Sequence, residues 1–388
     1  MKARSTARAV TRRTVVLAAS LLAAGCAVVP RTSVPAPAER APVPLPSASV
    51  LPSDQGRHRI ALLVPLSGPE AGVGQALVNA TQMATIDTGA QTLRITSYDT
   101  AAEGGAAAAA STALQDGNVL ILGPLFGDEV GPVVSVARSR DVPVISFSND
   151  AARGGTGAFI MGTGPEQSVE RSVRWARQQG TTSFAALVPE GEYGERAEAA
   201  FRSSVAAAGG TLTGVERFAR NNTSIVSAAR RLRSANRLQA VFIADTPERA
   251  GRASRELGTG VQIIGNELWS GDASVANNPA LRGAIFSAVS DARYRQFVDS
   301  YRARFGAAPY RIATLGYDAV LLALAVGDDW RFGRPFPQRS LADPAGFLGL
   351  DGAFRFDRRG TAQRMLEVRQ VRAGQVTVVD PAPARFAN

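Results

Sequence analysis

Apolar residues run almost unbroken through "RIALLVPL" (59–66), a pattern suited to a strand buried on both faces. After Pro69 the period changes. Val73, Ala76, Leu77, Ala80, Met83 and Ala84 recur at helical spacing. The same alternation continues with strand "LRITSYD", an alanine helix over 106–115, strand "VLILGPL", a helix over 128–140 and strand "VPVISFS". A second series has helices over 166–179, 193–208, 223–235 and 247–257. Strands "SFAALVP", a short one near Thr211, "AVFIAD" and "VQIIG" follow them in turn. After "AIFSAV" come helices over 293–305 and 312–327, then hairpin-like "GAFRFDRRG" and "MLEVRQVRAGQVTVV". Strands and helices alternating at these lengths predict an α/β protein with parallel sheets and right-handed crossovers. Two series with a late return predict two lobes joined by several crossings. The carboxyl ends of their strands would face a shared cleft.

The first 57 residues follow neither period. Lys2, Arg4, Arg8, Arg12 and Arg13 precede an uncharged stretch from Val15 to Ala24, which ends at Gly25 and Cys26. A basic start, a short apolar core and small residues describe an export signal over 1–25, and ten apolar residues are too few to span a bilayer. The segment Ala23-Ala24-Gly25-Cys26 resembles the lipobox of bacterial lipoproteins, with Ala23 where leucine is usual. That resemblance makes Cys26, the chain's single cysteine, the lipidated N-terminus and a membrane anchor. Ala27 after it points to the outer membrane ahead of the inner one. Residues 26–57 are the lipidated cysteine and a tether. They carry seven prolines and no aromatic residue, too little to bury, and at ~3.1 Å per residue the tether would reach up to roughly 90 Å.

Charge changes this picture little. Removing the signal lowers the formal charge from +10 to about +5. The local cluster Arg230, Arg231, Arg233 and Arg237 wraps around a helix as a solvated face, so nucleic acid is not an expected partner. The one histidine, His58, is expected at an exposed strand edge, and Cys26 belongs to the lipid. No nucleophile–base pair or metal-ligand set can be assembled without them, so no catalytic residue, metal or cofactor is expected. Ser67, Gly68, Gly72 and Gly74, with Asp99 downstream, imitate a dinucleotide fingerprint. The third glycine is missing, and Pro65 and Pro69 interrupt the turn.

"ALLVPLSGPEAGVGQAL", "LGPLFGDEV", "VPVISFSND", "ALVPEGEYGERAEAAF", "LQAVFIADTPE", "YDAVLLALA" and "GLDGAFRFDRRG" occur in an order that resembles type I periplasmic binding proteins of the leucine-binding kind. The resemblance implies a two-lobed fold over 58–388, each lobe a parallel-sheet α/β sandwich. Lobe 1 would comprise about 58–162 and 288–342, and lobe 2 about 163–287 and 343–388. Within that superfamily, "NELWSGD", "NNPALRGAIFSAV", "PYRIATLGYDAVLLA" and the C-terminal tail look most like penicillin-binding protein activators, lipoproteins of the cell envelope. This implies a periplasmic, non-enzymatic regulator of peptidoglycan synthesis whose partner is a bifunctional penicillin-binding protein. The alternative is the substrate-binding lipoprotein of an ABC importer for amino acids or similar small solutes.

The resemblance also points to a ligand cleft. Amino-acid-binding relatives hold the ligand carboxylate with serine hydroxyls after a Gly-Pro turn. Here that loop reads Gly123-Pro124-Leu125-Phe126-Gly127, and Phe126 would fill the place of the carboxylate. Ser67, Ser146, Ser148, Asn149, Tyr193, Glu267 and Trp269 complete a candidate ring around a small ligand, or else serve as turn-formers and lobe contacts. Free amino acids are accordingly expected to bind poorly.

Overall fold

A computed structural model describes residues 56–386 except 156, 221–222, 236 and 328–329. The export signal, Cys26 and nearly all of the tether therefore lie outside the described residues. The chain enters the fold at β1 (His58–Val64), whose residues 60–64 are fully buried. Beside it lie β2 (Leu93–Asp99), β3 (Leu120–Leu122), β4 (Val144–Ser146) and β5 (Ala158–Ile160). All pair in parallel in the order β2-β1-β3-β4-β5. Helices α1 (Ala71–Asp87), α2 (Gly105–Gln115) and α3 (Gly127–Arg138) make the crossovers. One face of this sheet buries Leu62, Leu77 and Phe147; the other buries Leu63, Ala110 and Val133.

The second lobe repeats the plan with α4 (Pro165–Gln178), β6 (Ser183–Pro189), α5 (Glu192–Ala207), β7 (Thr211–Phe218), α6 (Ser224–Ala235), β8 (Ala240–Ile243), α7 (Pro247–Leu257) and β9 (Gln262–Ile264). The short α8 (Ser274–Asn277) and β10 (Ile285–Ala288) follow. Next come α9 (Ala292–Phe305), α10 (Ala313–Gly327), the antiparallel trio β11 (Phe347–Gly349), β12 (Gly352–Phe356) and β13 (Ala362–Arg364), and the hairpin β14 (Glu367–Arg372) and β15 (Gln375–Asp380). The seven-stranded sheet runs β15-β14-β10-β9-β8-β6-β7 and turns antiparallel only at β14 and β15. β7 is longer than the short strand expected near Thr211. As an edge strand it is half exposed, so no apolar run marks it.

The two lobes share one detail of packing. A Cβ added at Gly74 would sit 1.7 Å from the carbonyl oxygen of Pro65, and one at Gly194 would sit 1.6 Å from that of Pro189. In each lobe a glycine near the start of a helix lets that helix pack directly on the end of the preceding strand. Gly74 thus serves backbone approach, and Asp99 beside it accepts the N–H groups of Leu66 (2.7 Å) and Ala101 (2.9 Å).

Two expectations need correction. The boundary near residue 343 is displaced: β11–β13 do not join the second lobe, because Phe354, Phe356 and Ala362 are buried in the core of the first. Only from β14 onward does the chain pair with the second sheet. His58 is buried at 8% exposure rather than exposed. Its ring stacks on Trp330 at 3.6 Å and its Nε2 lies 3.1 Å from the Trp330 carbonyl, a partner 272 residues away.

Three crossings connect the lobes, near 161–165, 288–292 and 364–367, and buried arginines tie them together. Arg364 donates to the Met161 carbonyl at 3.0 Å. Arg369 donates to Asp291, to the Val289 carbonyl and, at 2.7 Å, to Glu367. The expected solvated arginine face is present on α6, where Arg230 pairs with Glu256 and Arg231 with Glu216.

Candidate ligand cleft

A cavity of about 430 Å³ opens between the carboxyl ends of the two sheets, within the range typical of small-molecule sites. Val73, Leu125, Phe126 and Phe147 of the first lobe form its apolar side, with Asn149 at the edge. Glu267, Leu268 and Ser270 face them from the second lobe. Arg311, Thr314 and Asp351 close the end nearest the crossings.

Of the residues singled out from the sequence, Phe126, Asn149 and Glu267 line this cavity. Phe126 precedes α3 in extended conformation and remains 37% exposed. Tyr193 stands behind the wall: its hydroxyl donates to Glu267 Oε1 and accepts from Asn266 Nδ2, both at 2.8 Å. Burial, together with the neighbouring Glu267, pushes the Tyr193 phenol well above its ordinary range. Ser146 and Ser148 are turn-formers. Ser146 Oγ donates to the Pro124 carbonyl at 2.8 Å and accepts the Ser148 N–H, while Ser148 Oγ accepts the Asp150 N–H. Trp269 is a core residue, 1% exposed, with Nε1 donating to the Asp245 carbonyl at 2.9 Å. Ser67 is exposed and outside the cavity wall.

Glu267 holds the central carboxylate. Burial pushes its pKa up to about 7, with the Tyr193 hydrogen bond working in the opposite direction. Its second oxygen, Oε2, is shut off from solvent and has no hydrogen-bond partner among the described residues; the same holds for Ser270 Oγ and Arg311 Nε. Their residues line the cavity, while these three atoms lie just beneath its surface with bonds left unmade.

The charged end of the cavity was not legible in advance. Arg311 Nη2 pairs with Asp351 Oδ1 at 2.8 Å, its Nη1 donates to Thr314 Oγ1 at 2.9 Å, and its guanidinium lies over the Tyr294 ring at 4.2 Å. Burial favours the neutral form of Asp351, but Arg311 and Arg364 outweigh it and hold the carboxyl below the usual range. Behind this pair Asp318, also fully buried, is pushed upward by burial and by the charge of Asp351. The one cue for Arg311 was a cation immediately before an apolar helix that is buried on most sides.

A family model described as periplasmic binding protein matches residues 58–328. The chain belongs to that family. Membership implies a periplasmic location for the body. An uncharacterized protein of Rickettsia prowazekii, RP748, is 24% identical over 204 residues, covering 50% of this chain and 55% of its own length, so the match spans about half of that relative. Among solved structures, the leucine-binding protein LivK from Thermotoga maritima superposes with a TM-score of 0.64 at 20% identity, covering 84% of this chain and 99% of its own. A solute-binding protein of an ABC transporter from Rhodopseudomonas palustris, in complex with benzoate, gives 0.63 at 21% identity, covering 86% and 99%. These likenesses establish the two-lobed fold of this periplasmic binding protein, with its cavity between the lobes.

Proposed function

We propose that the protein is a non-enzymatic receptor for a small solute, captured between the lobes and presented to an ABC importer. The observation that carries this reading is the 430 Å³ cavity between the lobes, mostly apolar and lined by a few polar side chains, Glu267, Ser270 and Arg311 among them. A docking partner makes no use of such an interior, whereas a captured solute does. Thermal-shift screening of the full chain against a broad panel of small solutes tests the reading. At a hundred-fold excess over Kd a true ligand stabilises by about 2.7 kcal/mol, a clear rise in Tm. A panel that leaves Tm unchanged throughout overturns it.

The regulator of peptidoglycan synthesis is the second reading. It keeps support from the resemblance of the C-terminal tail and from Phe126, which stands on the cleft wall where amino-acid-binding relatives place hydroxyls. In this form the body, tethered through a lipid on Cys26 in the outer membrane, would contact a bifunctional penicillin-binding protein. Crosslinking from exposed Arg334 in intact cells distinguishes the two: recovery of transporter subunits without a peptidoglycan synthase eliminates the regulator.

A further inference from the structure

We propose that the cleft selects a small organic cation, an amine or guanidinium on a short apolar body, and rejects solutes that carry a carboxylate. The inference rests on the solute-receptor reading and adds the chemical class of the solute.

The charge balance of the cavity disfavours an anion. Three carboxylates line the cavity, Glu70, Glu267 and Asp351, against a single cation, Arg311. That cation is already engaged: Asp351 takes Nη2, Thr314 takes Nη1, and the Tyr294 ring covers one face. Asp351 and Thr314 take two of its five N–H groups; Nε has no partner among the described residues, and the remaining donors suit a carbonyl or hydroxyl oxygen. A ligand carboxylate would have to lie near Asp351 without a free cation of its own, and burying an uncompensated charge beside a like charge is strongly unfavourable.

The bonds that Glu267 leaves unmade call for a donor. Glu267 Oε1 is occupied by the Tyr193 hydroxyl, and its Oε2 is buried without a partner. An ionised carboxylate only accepts, so the group that completes it must be a donor, and a cationic donor makes the stronger bond. Opposite Glu267 the wall is apolar and aromatic, with Phe126, Phe147 and Leu125. Aromatic faces attract organic cations, and the aliphatic residues suit a short hydrocarbon body. The loop at Phe126 supplies no side-chain hydroxyl that could serve an anion.

The test uses matched probes sharing one apolar body. Titration calorimetry of the full chain at pH 8 compares 3-methylbutylamine, leucine and 4-methylpentanoate, which carry an amine alone, both groups and a carboxylate alone. The amine is expected to bind at least ten-fold more tightly than leucine, with 4-methylpentanoate weakest. Glu267→Gln should weaken amine binding ten-fold or more without lowering the Tm of the unliganded protein. Binding of leucine or 4-methylpentanoate as tight as that of the amine overturns the inference and leaves the receptor reading intact. So does a solute panel whose hits all lack a basic nitrogen. A panel with no hits removes both.

Discussion

Arg196 on α5 reaches across the mouth of the cleft and grips Asn149 of the opposite lobe twice, Nη1 donating to its carbonyl oxygen at 2.8 Å and Nη2 to its side-chain oxygen at 3.1 Å. Asp150, 3.9 Å from Nη1, adds its charge. The grip uses no ligand, so the lobes are held together by the chain's own residues. Arg196→Met should remove two charged hydrogen bonds, of the order of 1.5–3 kcal/mol each, and leave the lobe cores untouched. Small-angle scattering of the unliganded variant should give a larger radius of gyration than that of the parent. An unchanged radius would mean that Asn149 and Arg196 meet without holding the cleft closed.

Glu267 predicts a pH dependence of stability. Its folded pKa, about 7, lies above the ordinary carboxylate value, so between roughly pH 4.5 and 7 the folded state binds more protons than the unfolded one. Stability from this group therefore falls as pH rises through that window. Tyr193, Glu166 and Arg196 face it, and Glu166, also raised by burial, adds a decline of the same sign that the variant below keeps. Denaturant unfolding at pH 5 and pH 7 should show a smaller decline for Glu267→Gln than for the parent. Equal declines would remove Glu267 as a contributor.

Gly74→Ala should destabilise by several kcal/mol, because the new methyl would lie 1.7 Å from the Pro65 carbonyl oxygen and α1 would have to move off the strand end. Gly131→Ala on α3 is the control. Its Cβ meets nothing within 4 Å beyond its chain neighbours, so no loss of that size is expected, and Pro132 next to it holds back the usual helical gain of alanine over glycine. Urea midpoints that fall by the same amount in both variants would contradict the close approach.

Arg364 is fully buried, with Nη1 3.9 Å from Asp318, Nη2 on the Met161 carbonyl and its guanidinium over the Phe354 ring. Arg364→Met should cost about 3–5 kcal/mol, because Asp318 is left buried without its cation and two crossings lose their tie. Removing both charges, as Asp318→Asn with Arg364→Met, should recover part of the loss, because the Asn side-chain oxygen can still accept the Leu350 N–H. A double variant no more stable than the single one would show that the arginine acts through the carbonyl and ring contacts alone.

Cys26 lies outside the described residues, and its acylation is tested directly. Cys26→Ser should abolish fatty-acid labelling and release the protein from membranes, since each buried methylene contributes about 0.8 kcal/mol to anchoring. Labelling that persists in the variant would dismiss the anchor.

The strands "LRITSYD" and "SFAALVP" and the helix over 247–257 fall where hydrophobic periodicity puts them, because period is a local property of the chain. Part of the cleft was legible as well. Phe126, Asn149 and Glu267 each sit just past a strand's carboxyl end, a place that connectivity alone makes a ligand edge. Ser146, Ser148 and Trp269 share that kind of position, yet their side chains point into a turn or the core. Nothing local separates the two outcomes.

By itself the sequence determined the alternation of strands and helices, the two-lobed α/β plan and the edges from which a cleft could be built, all of them consequences of spacing between neighbours along the chain. Tertiary structure alone decided that His58 stacks on Trp330, that β11–β13 join the first lobe, that Arg196 bridges to Asn149, and that Arg311 meets Asp351 in the cavity wall. These pairings join residues between 40 and 272 positions apart. Each depends on how the two open sheets place their loops in space, and on the cost of leaving a buried charge without a partner.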